Sequence, residues 1–366
     1  MLLLPACAAQ SAGASVATNS PPVSPATKPL DQVAAPGTSE NRSFALSLLK
    51  QRAECRPILS PFLYTETVST EMQARGLQAP DDRMNGDHRM LQEFEARGDG
   101  NRLGVLWRTW GNAWLTADSV SEDRCPYNSR LWDGKTCFEY ITTVDIPGRI
   151  TIETRPSESR SRQQVSEMLT PLWTSWISRE LASNAVSLSV RPRLEQVGQA
   201  QCYVIDATTR TPQESGNHTV WIDSERGNNI VQVTNSWRYP ASFQRVWVSY
   251  SMDRLVFKDI EGVWTPVEGY VIRSDTRRGG GSTRRVEHHT LTKMTLKPDA
   301  QALGAFVPDD IKNGARVTIA PGPAERDPHS LPLWQDGRVL DRQGRVLFDS
   351  GLTNTNSTKS APAGEK

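Results

Sequence analysis

The stretch TPLWTSWISRELASNAVSLSVRPRLE, residues 170–195, changes its period half way along. In the first half Leu172, Trp173, Trp176, Ile177 and Leu181 recur at steps of one, three, one and four, the spacing of one face of an α-helix. Thr170 is the expected cap and Pro171 the expected first helical residue. In the second half Val186, Leu188, Val190 and Leu194 alternate with Ser187, Ser189, Arg191 and Arg193, which makes one face of a strand dry and the other wet. A helix with two tryptophans on its apolar side, leading directly into a half-buried strand, is expected to lie across that strand's sheet and close its dry face.

Outward from this junction, Asn41 to Glu54, NRSFALSLLKQRAE, places Phe44, Leu48 and Leu49 at helical spacing, with Asn41 as the expected cap. Most of the remaining chain consists of short β runs such as FLYTETVSTEM, RLGVLWRTWG, QCYVIDAT and VWTPVEGYVIRSD. Turn chemistry separates them: Gly98-Asp99-Gly100-Asn101, Asp133-Gly134, Pro147-Gly148, Arg226-Gly227-Asn228, Glu261-Gly262 and Gly279-Gly280-Gly281. Strands joined by tight turns, with few helices between them, predict a mainly β fold of the α+β kind built on a large antiparallel meander. Beyond Pro298 the pattern shifts to an extended segment, then to LPLWQDGRVLDRQGRVLFDSG, where a repeated Gly-Arg-Val-Leu predicts a small hairpin or two short strands.

Composition narrows the partners. Lys plus Arg number 42 and Asp plus Glu 41, a net charge of +1 in 366 residues, so no bulk field draws nucleic acid or an anionic bilayer. Eleven tryptophans suit either a thick β core or an apolar cleft. The amino terminus, MLLLPACAAQSAGAS, falls short of the ~18 apolar residues of a membrane span. Leu4-Pro5-Ala6-Cys7 is similar to the end of a lipoprotein signal, with Cys7 as the lipid anchor and a Ser/Pro/Ala-rich tether behind it; the alternative is an unstructured tail with an incidental cysteine. Setting Cys7 aside leaves Cys55, Cys125, Cys137 and Cys202. Cys125 and Cys137 flank a short loop and are the first expected disulfide, with buried free thiols as the other reading.

The phrases LWDGKTCFEY, HTVWIDSERGNNIVQV and GVWTPVEGYVIRSD, followed by FVPDDIKNGARV, resemble the LolA/LolB-like lipoprotein-carrier superfamily of the bacterial envelope. In particular they are similar to a carrier-like variant associated with planctomycete-type bacteria, over residues 42–320. The resemblance implies a large curved antiparallel sheet, a half-barrel, with helices covering its concave face. It divides the chain into a truncated signal and linker (1–40), the carrier-like domain (41–300), a C-terminal extension with a short hairpin (301–350) and a disordered tail (351–366). The function implied is non-enzymatic and envelope-located, on the periplasmic side: an apolar cleft holding an acyl chain or a lipoprotein. Its lining would come from Leu172, Trp173, Trp176 and Ile177 on the helix and from Trp107, Trp132 and Tyr140 on the strands. The alternative is an envelope scaffold or sensor with a filled core, acting through protein contacts. The chain is about twice the length of a typical carrier, with extra segments at both ends.

Other chemistry is weaker. His288 and His289 are neighbours on an expected strand, so their side chains point to opposite faces and cannot share a metal; each reads as a surface histidine. RRGGGSTRR, Arg277 to Arg285, lacks the spacing of a phosphate loop and reads as a hairpin tip. No nucleophile elbow or metalloprotease motif occurs, and no cofactor or metal is expected.

Overall fold

The computed structural model describes residues 34–54, 61–78, 85–110, 127–143, 146–154, 175–240, 242–243, 245–320 and 331–352. Cys7, Cys125, Leu172 and Trp173, with the expected cap Thr170 and Pro171, lie outside the described residues, as does the side chain of Trp176.

The protein is mostly β, one large open curved sheet of 18 strands with few helices. After helix α1 (Ser39–Glu54), a first meander runs through β1 (Phe62–Arg75), β2 (Gly86–Gly98), β3 (Leu103–Trp110), β4 (Tyr127–Trp132), β5 (Cys137–Thr143) and β6 (Ile146–Glu153). Helix α2 (Ser175–Asn184) opens a second meander: β7 (Ala185–Val190), β8 (Glu195–Val197), β9 (Ala200–Arg210), β10 (Ser215–Asp223), β11 (Asn229–Arg238), β12 (Arg245–Ile260), β13 (Val263–Arg277) and β14 (Ser282–Leu296). β7 and β8 both pair with the same edge of β9. β14 then returns to pair antiparallel with β1 along its whole length, which fuses the two meanders into one sheet.

The C-terminal segment continues that sheet. After the short helix α3 (Ala300–Leu303), β15 (Arg316–Ala320) lies parallel to β6, with Val317 opposite Ile150. Three more short strands come next, β16 (Leu333–Gln335), β17 (Arg338–Leu340) and β18 (Val346–Asp349). β16 and β17 form a short hairpin, and β18 adds a third strand to it.

The tight turns explain why the chain folds back where it does. At the β4–β5 turn Gly134 takes φ +97°, a region that favours glycine. The Asp133 carboxylate accepts from the backbone N–H groups of Lys135 and Thr136, both at 2.7 Å. Trp132, one residue earlier, is 3% exposed and packs in the main core, directly opposite Cys137.

Two cores stand on opposite faces of the sheet. The larger, on the inner face, gathers Leu48 and Leu49 of α1, Ile177 and Leu181 of α2, and strand residues such as Tyr64, Val190, Ile205, Val220 and Val233. α1 and α2 pack on each other and over the β7–β9 end of the sheet. The second core, on the outer face of β4 to β6, buries Phe138, Tyr140, Ile150 and Ile152 beneath Phe306, Ile311, Trp334 and Val339 of the C-terminal segment.

Two local readings need correction. Asn41 is not the cap of α1: the Thr38 hydroxyl accepts from the Asn41 N–H at 3.2 Å, and the Asn41 side chain is buried against β7. Val186 is 61% exposed, because a bulge between Ala185 and Ser187 turns Ala185 inward in its place; Leu188 and Val190 face the core. Cys137 is a free thiol, and Cys125, its expected partner, lies outside the described residues. The strand aims Cys137 into the apolar core, where burial pushes the thiol up to about 11.

Candidate functional site

Cross-strand partners share a face of the sheet, so the register identifies what lines the inner surface. On β7 to β11 that surface is apolar except for Thr209, His218 and Asn235. At β12, β13, β14 and β1 it changes character. Tyr250, Arg273 and Arg285 stand opposite one another in a row that continues through Met72 to His88. In the adjacent row Met252 and Val271 lead to Glu287, Thr70 and Met90. One step further along β14 comes His289, and Glu66 stands two residues before its β1 partner Val68. The result is a polar belt across a sheet face that is otherwise hydrophobic.

The belt has two hydrogen-bonded ends. At one end His218, 3% exposed, meets the Thr209 hydroxyl through Nε2 at 2.9 Å and Asn235 Oδ1 through Nδ1 at 3.1 Å. Burial lowers the His218 pKa against the opposing Asn235 hydrogen bond, so the ring is neutral. It then donates from Nδ1 and accepts from Thr209. Gly216 makes room for this contact: a Cβ there would come within 2.6 Å of both His218 Nε2 and Thr209 Oγ1.

At the other end His289, also 3% exposed, places Nδ1 2.7 Å from Glu66 Oε1 and Nε2 3.3 Å from Glu287 Oε2. Arg285 Nη2 reaches the same Glu287 carboxylate at 2.5 Å. Burial disfavours the imidazolium, but the hydrogen bonds and charges of Glu287 and Glu66 prevail and raise the pKa to about 9. With a carboxylate on each ring nitrogen, His289 is a locked cation inside a chain of alternating charge. The surface-histidine reading is corrected for this residue. His288 does point to the opposite face, as alternation predicts, where it stacks on Tyr270 with centroids 4.4 Å apart and reaches Glu268 at 2.9 Å.

Beside the charged end lies an aromatic shelf. Glu66 stands opposite Phe94, and Phe94 opposite Trp107. The two rings stack with centroids 6.4 Å apart and planes 18° off parallel. Both are half-buried, as are Met90, four residues before Phe94 on the same face of β2, and Met72, further along β1 opposite His88.

These placements separate the residues expected to line a cleft. Trp107 belongs to the shelf and Trp132 lies two strands from Phe94 on the same inner face. Ile177 is fully buried in the main core under α2. Tyr140 is on the other face: period-two alternation sends Cys137 and Glu139 inward and Phe138 and Tyr140 into the second core. Its hydroxyl donates to the Pro147 carbonyl at 2.6 Å. The polar belt carries the residues that sequence reasoning missed. RRVEHHTLTKM on β14 is polar at nearly every position, so only pairing with β1 and β13 reveals which half is enclosed.

No family model matches the chain, and no curated protein matches it. Among solved structures it is similar to a DUF1329 family protein from Desulfovibrio piger, with 11% identity and a TM-score of 0.41 over 74% of this chain and 99% of that one. It is also similar to lipovitellin, in a structure of its lipid–protein interactions, at 11% identity and TM-score 0.27 over 66% of this chain and 26% of that one. A third likeness is to MucB in complex with MucA, at 12% identity and TM-score 0.17 over 70% of this chain and 100% of that one. At these TM-scores none of the three defines a family for this chain. No helix among the described residues is long and apolar enough to cross a membrane.

Proposed function

We propose that this protein is a non-enzymatic binding protein of the bacterial envelope that holds an acyl chain, free or attached to a lipoprotein, against the inner face of its sheet. The observation that supports this most is the shelf of Phe94 and Trp107, bordered by the polar belt, with the half-buried Met90 and Met72 further along the same face. Each methylene laid on such a surface gains about 0.8 kcal/mol, and thioethers adapt to a chain without fixed shape. In this reading α2, joined to the sheet through Ile177 and Leu181, is the movable cover, and Leu172, Trp173 and Trp176 are the further lining that the sequence leads one to expect. Cys7 would tether the protein to the membrane.

Titration of the purified protein with a fluorescent fatty-acid probe tests the proposal. Saturable, displaceable binding that weakens in Trp107→Ala and Phe94→Ala is expected. A natively folded protein with no displaceable uptake overturns it.

One observation favours a second reading, an envelope scaffold or sensor with a filled core: Ile177 and Leu181 are both at 0% exposure. On that reading Ile177→Ala lowers stability by about 2–5 kcal/mol and leaves probe uptake absent before and after.

A further inference from the structure

The polar belt holds more positive charge than its own acids neutralise. Glu66 and Glu287 are matched by His289 and Arg285. Asp275 is taken by the Thr283 hydroxyl at 2.7 Å and by Arg277 at 3.7 Å. Arg273 makes no close ion pair among the described residues, although its charge reaches Glu287, which Arg285 and His289 already hold. It stands directly across the β13–β14 pairing from Arg285, a placement of like charges that costs stability in a sheet. Arg285 Nε is buried and has no hydrogen-bond partner, and the same holds for Asn235 Nδ2, on the strand beside Tyr250. Buried donors without acceptors are expensive, on the order of 1–3 kcal/mol each. Two guanidinium groups facing each other, with an unused buried N–H between strands, is an arrangement that an anion relieves.

We infer that Arg273 and Arg285, with Tyr250 opposite Arg273, form a binding site for an anionic group, a carboxylate or a phosphate, carried by an amphipathic ligand. This rests on the acyl-binding proposal and sharpens it. Met72 follows Arg285 in the same cross-strand row, and Met90 lies on the next strand in the adjoining row, so an anion held here directs its attached chain toward the methionines and the Phe94–Trp107 shelf. The ligand class is then a fatty acid or a phospholipid-like amphiphile rather than a neutral lipid.

The test is competition against a neutral fluorescent lipid probe by palmitate, hexadecyl phosphate and hexadecanol, with inorganic phosphate followed separately by thermal shift. The charged amphiphiles should displace the probe at lower concentration than hexadecanol. Arg273→Gln, at an exposed position whose loss does not disturb packing, should weaken both by about 10–100-fold and leave hexadecanol unchanged. Arg273→Lys should recover part of the loss. Equal displacement by all three amphiphiles, unaltered in Arg273→Gln, overturns the anion site while acyl binding stands. If no amphiphile displaces the probe but inorganic phosphate raises the melting temperature of the wild type and not of Arg273→Gln, the anion site stands with a small-anion ligand and acyl binding falls. No response to any of the four overturns both.

Discussion

Asn41 and Val190 bind each other through both of their hydrogen-bonding faces. Asn41 Nδ2 donates to the Val190 carbonyl at 3.0 Å, and the Val190 N–H donates to Asn41 Oδ1 at 2.8 Å. Nδ2 also donates to the Ala34 carbonyl at 2.8 Å. A side-chain amide thereby acts as a further strand at the free edge of β7 and ties α1 to it. Arg42 adds a bond from Nη2 to the Ala185 carbonyl at 3.0 Å. Truncating Asn41 to alanine leaves the Val190 N–H and carbonyl buried without partners. The expected cost is about 2–4 kcal/mol, read as a lower urea midpoint with an unchanged slope. Asn41→Asp keeps the acceptor but loses the donor, and should fall between wild type and alanine at neutral pH.

The His289 chain gives stability a definite pH dependence. The folded pKa of about 9 lies above the ordinary 6.5, so the histidine's contribution is fully present below about pH 6.5 and lost as pH rises through about 9. The Glu287 pKa is lowered, against its burial, by the His289 hydrogen bond and by Arg285. Its contribution is present above the ordinary glutamate range and lost as pH falls. Wild-type stability should therefore decline between pH 7 and pH 10. His289→Gln should be less stable at pH 6, by on the order of 2–3 kcal/mol, and should show a flatter profile on the alkaline side. Urea denaturation at a series of pH values measures both. Parallel profiles for the two proteins would mean that His289 carries no proton linkage.

How far the fold is legible in the sequence depends on how local its causes are. β9, whose Cys-Tyr-Val-Ile run is buried throughout, and β1, rich in aromatic and β-branched residues, are recognisable as strands from their residue types. Asp133-Gly134 and Glu261-Gly262 mark hairpins because the backbone there takes positive φ. The pairings that decide the site are not local. β1 meets β14, and β6 meets β15 in parallel, only after long stretches of intervening chain, and no periodicity within a strand reports its distant neighbour. The inner and outer faces of β14 are therefore indistinguishable in sequence, and the Glu66–His289–Glu287 chain stays hidden. Tyr140 is misplaced to the inner face for the same reason: an aromatic on a strand covered on both sides gives no alternation to read. Val186 is misplaced by a one-residue bulge, which shifts the face without changing the residue types.

The cysteine chemistry predicts a labelling pattern. Cys137 and Cys202 are buried free thiols, and burial pushes Cys137 up to about 11 and Cys202 up to about 12. Thiolate is the reactive species, so at pH 8 both should resist alkylation in the native protein. In denaturant, without reductant, both should become labelled. Peptide mass spectrometry after each treatment distinguishes the outcomes. A Cys137 that labels only after reduction would instead place it in a disulfide.

The C-terminal segment should be required for solubility as well as for stability. It is fastened to the first meander at several points: Arg97 donates to the Leu303 carbonyl at 2.7 Å and to the Ala305 carbonyl at 3.0 Å, and the Tyr127 hydroxyl to the Asp310 carbonyl at 2.5 Å. Beyond these, β15 covers the edge of β6, and Trp334, 2% exposed, packs its ring edge-on to Phe138 with centroids 6.5 Å apart. Trp334→Ala should cost about 3–5 kcal/mol through the cavity it leaves. Ending the chain before Arg316 has a different consequence. It uncovers the edge of β6 together with Ile150 and Ile152, an unpaired apolar strand of the kind that templates association. The truncated protein should elute as oligomers in size-exclusion chromatography with light scattering, whereas Trp334→Ala should elute with the wild type at a lowered melting temperature. If the truncation keeps the elution and the melting temperature of the full chain, the second core contributes nothing to the sheet it covers.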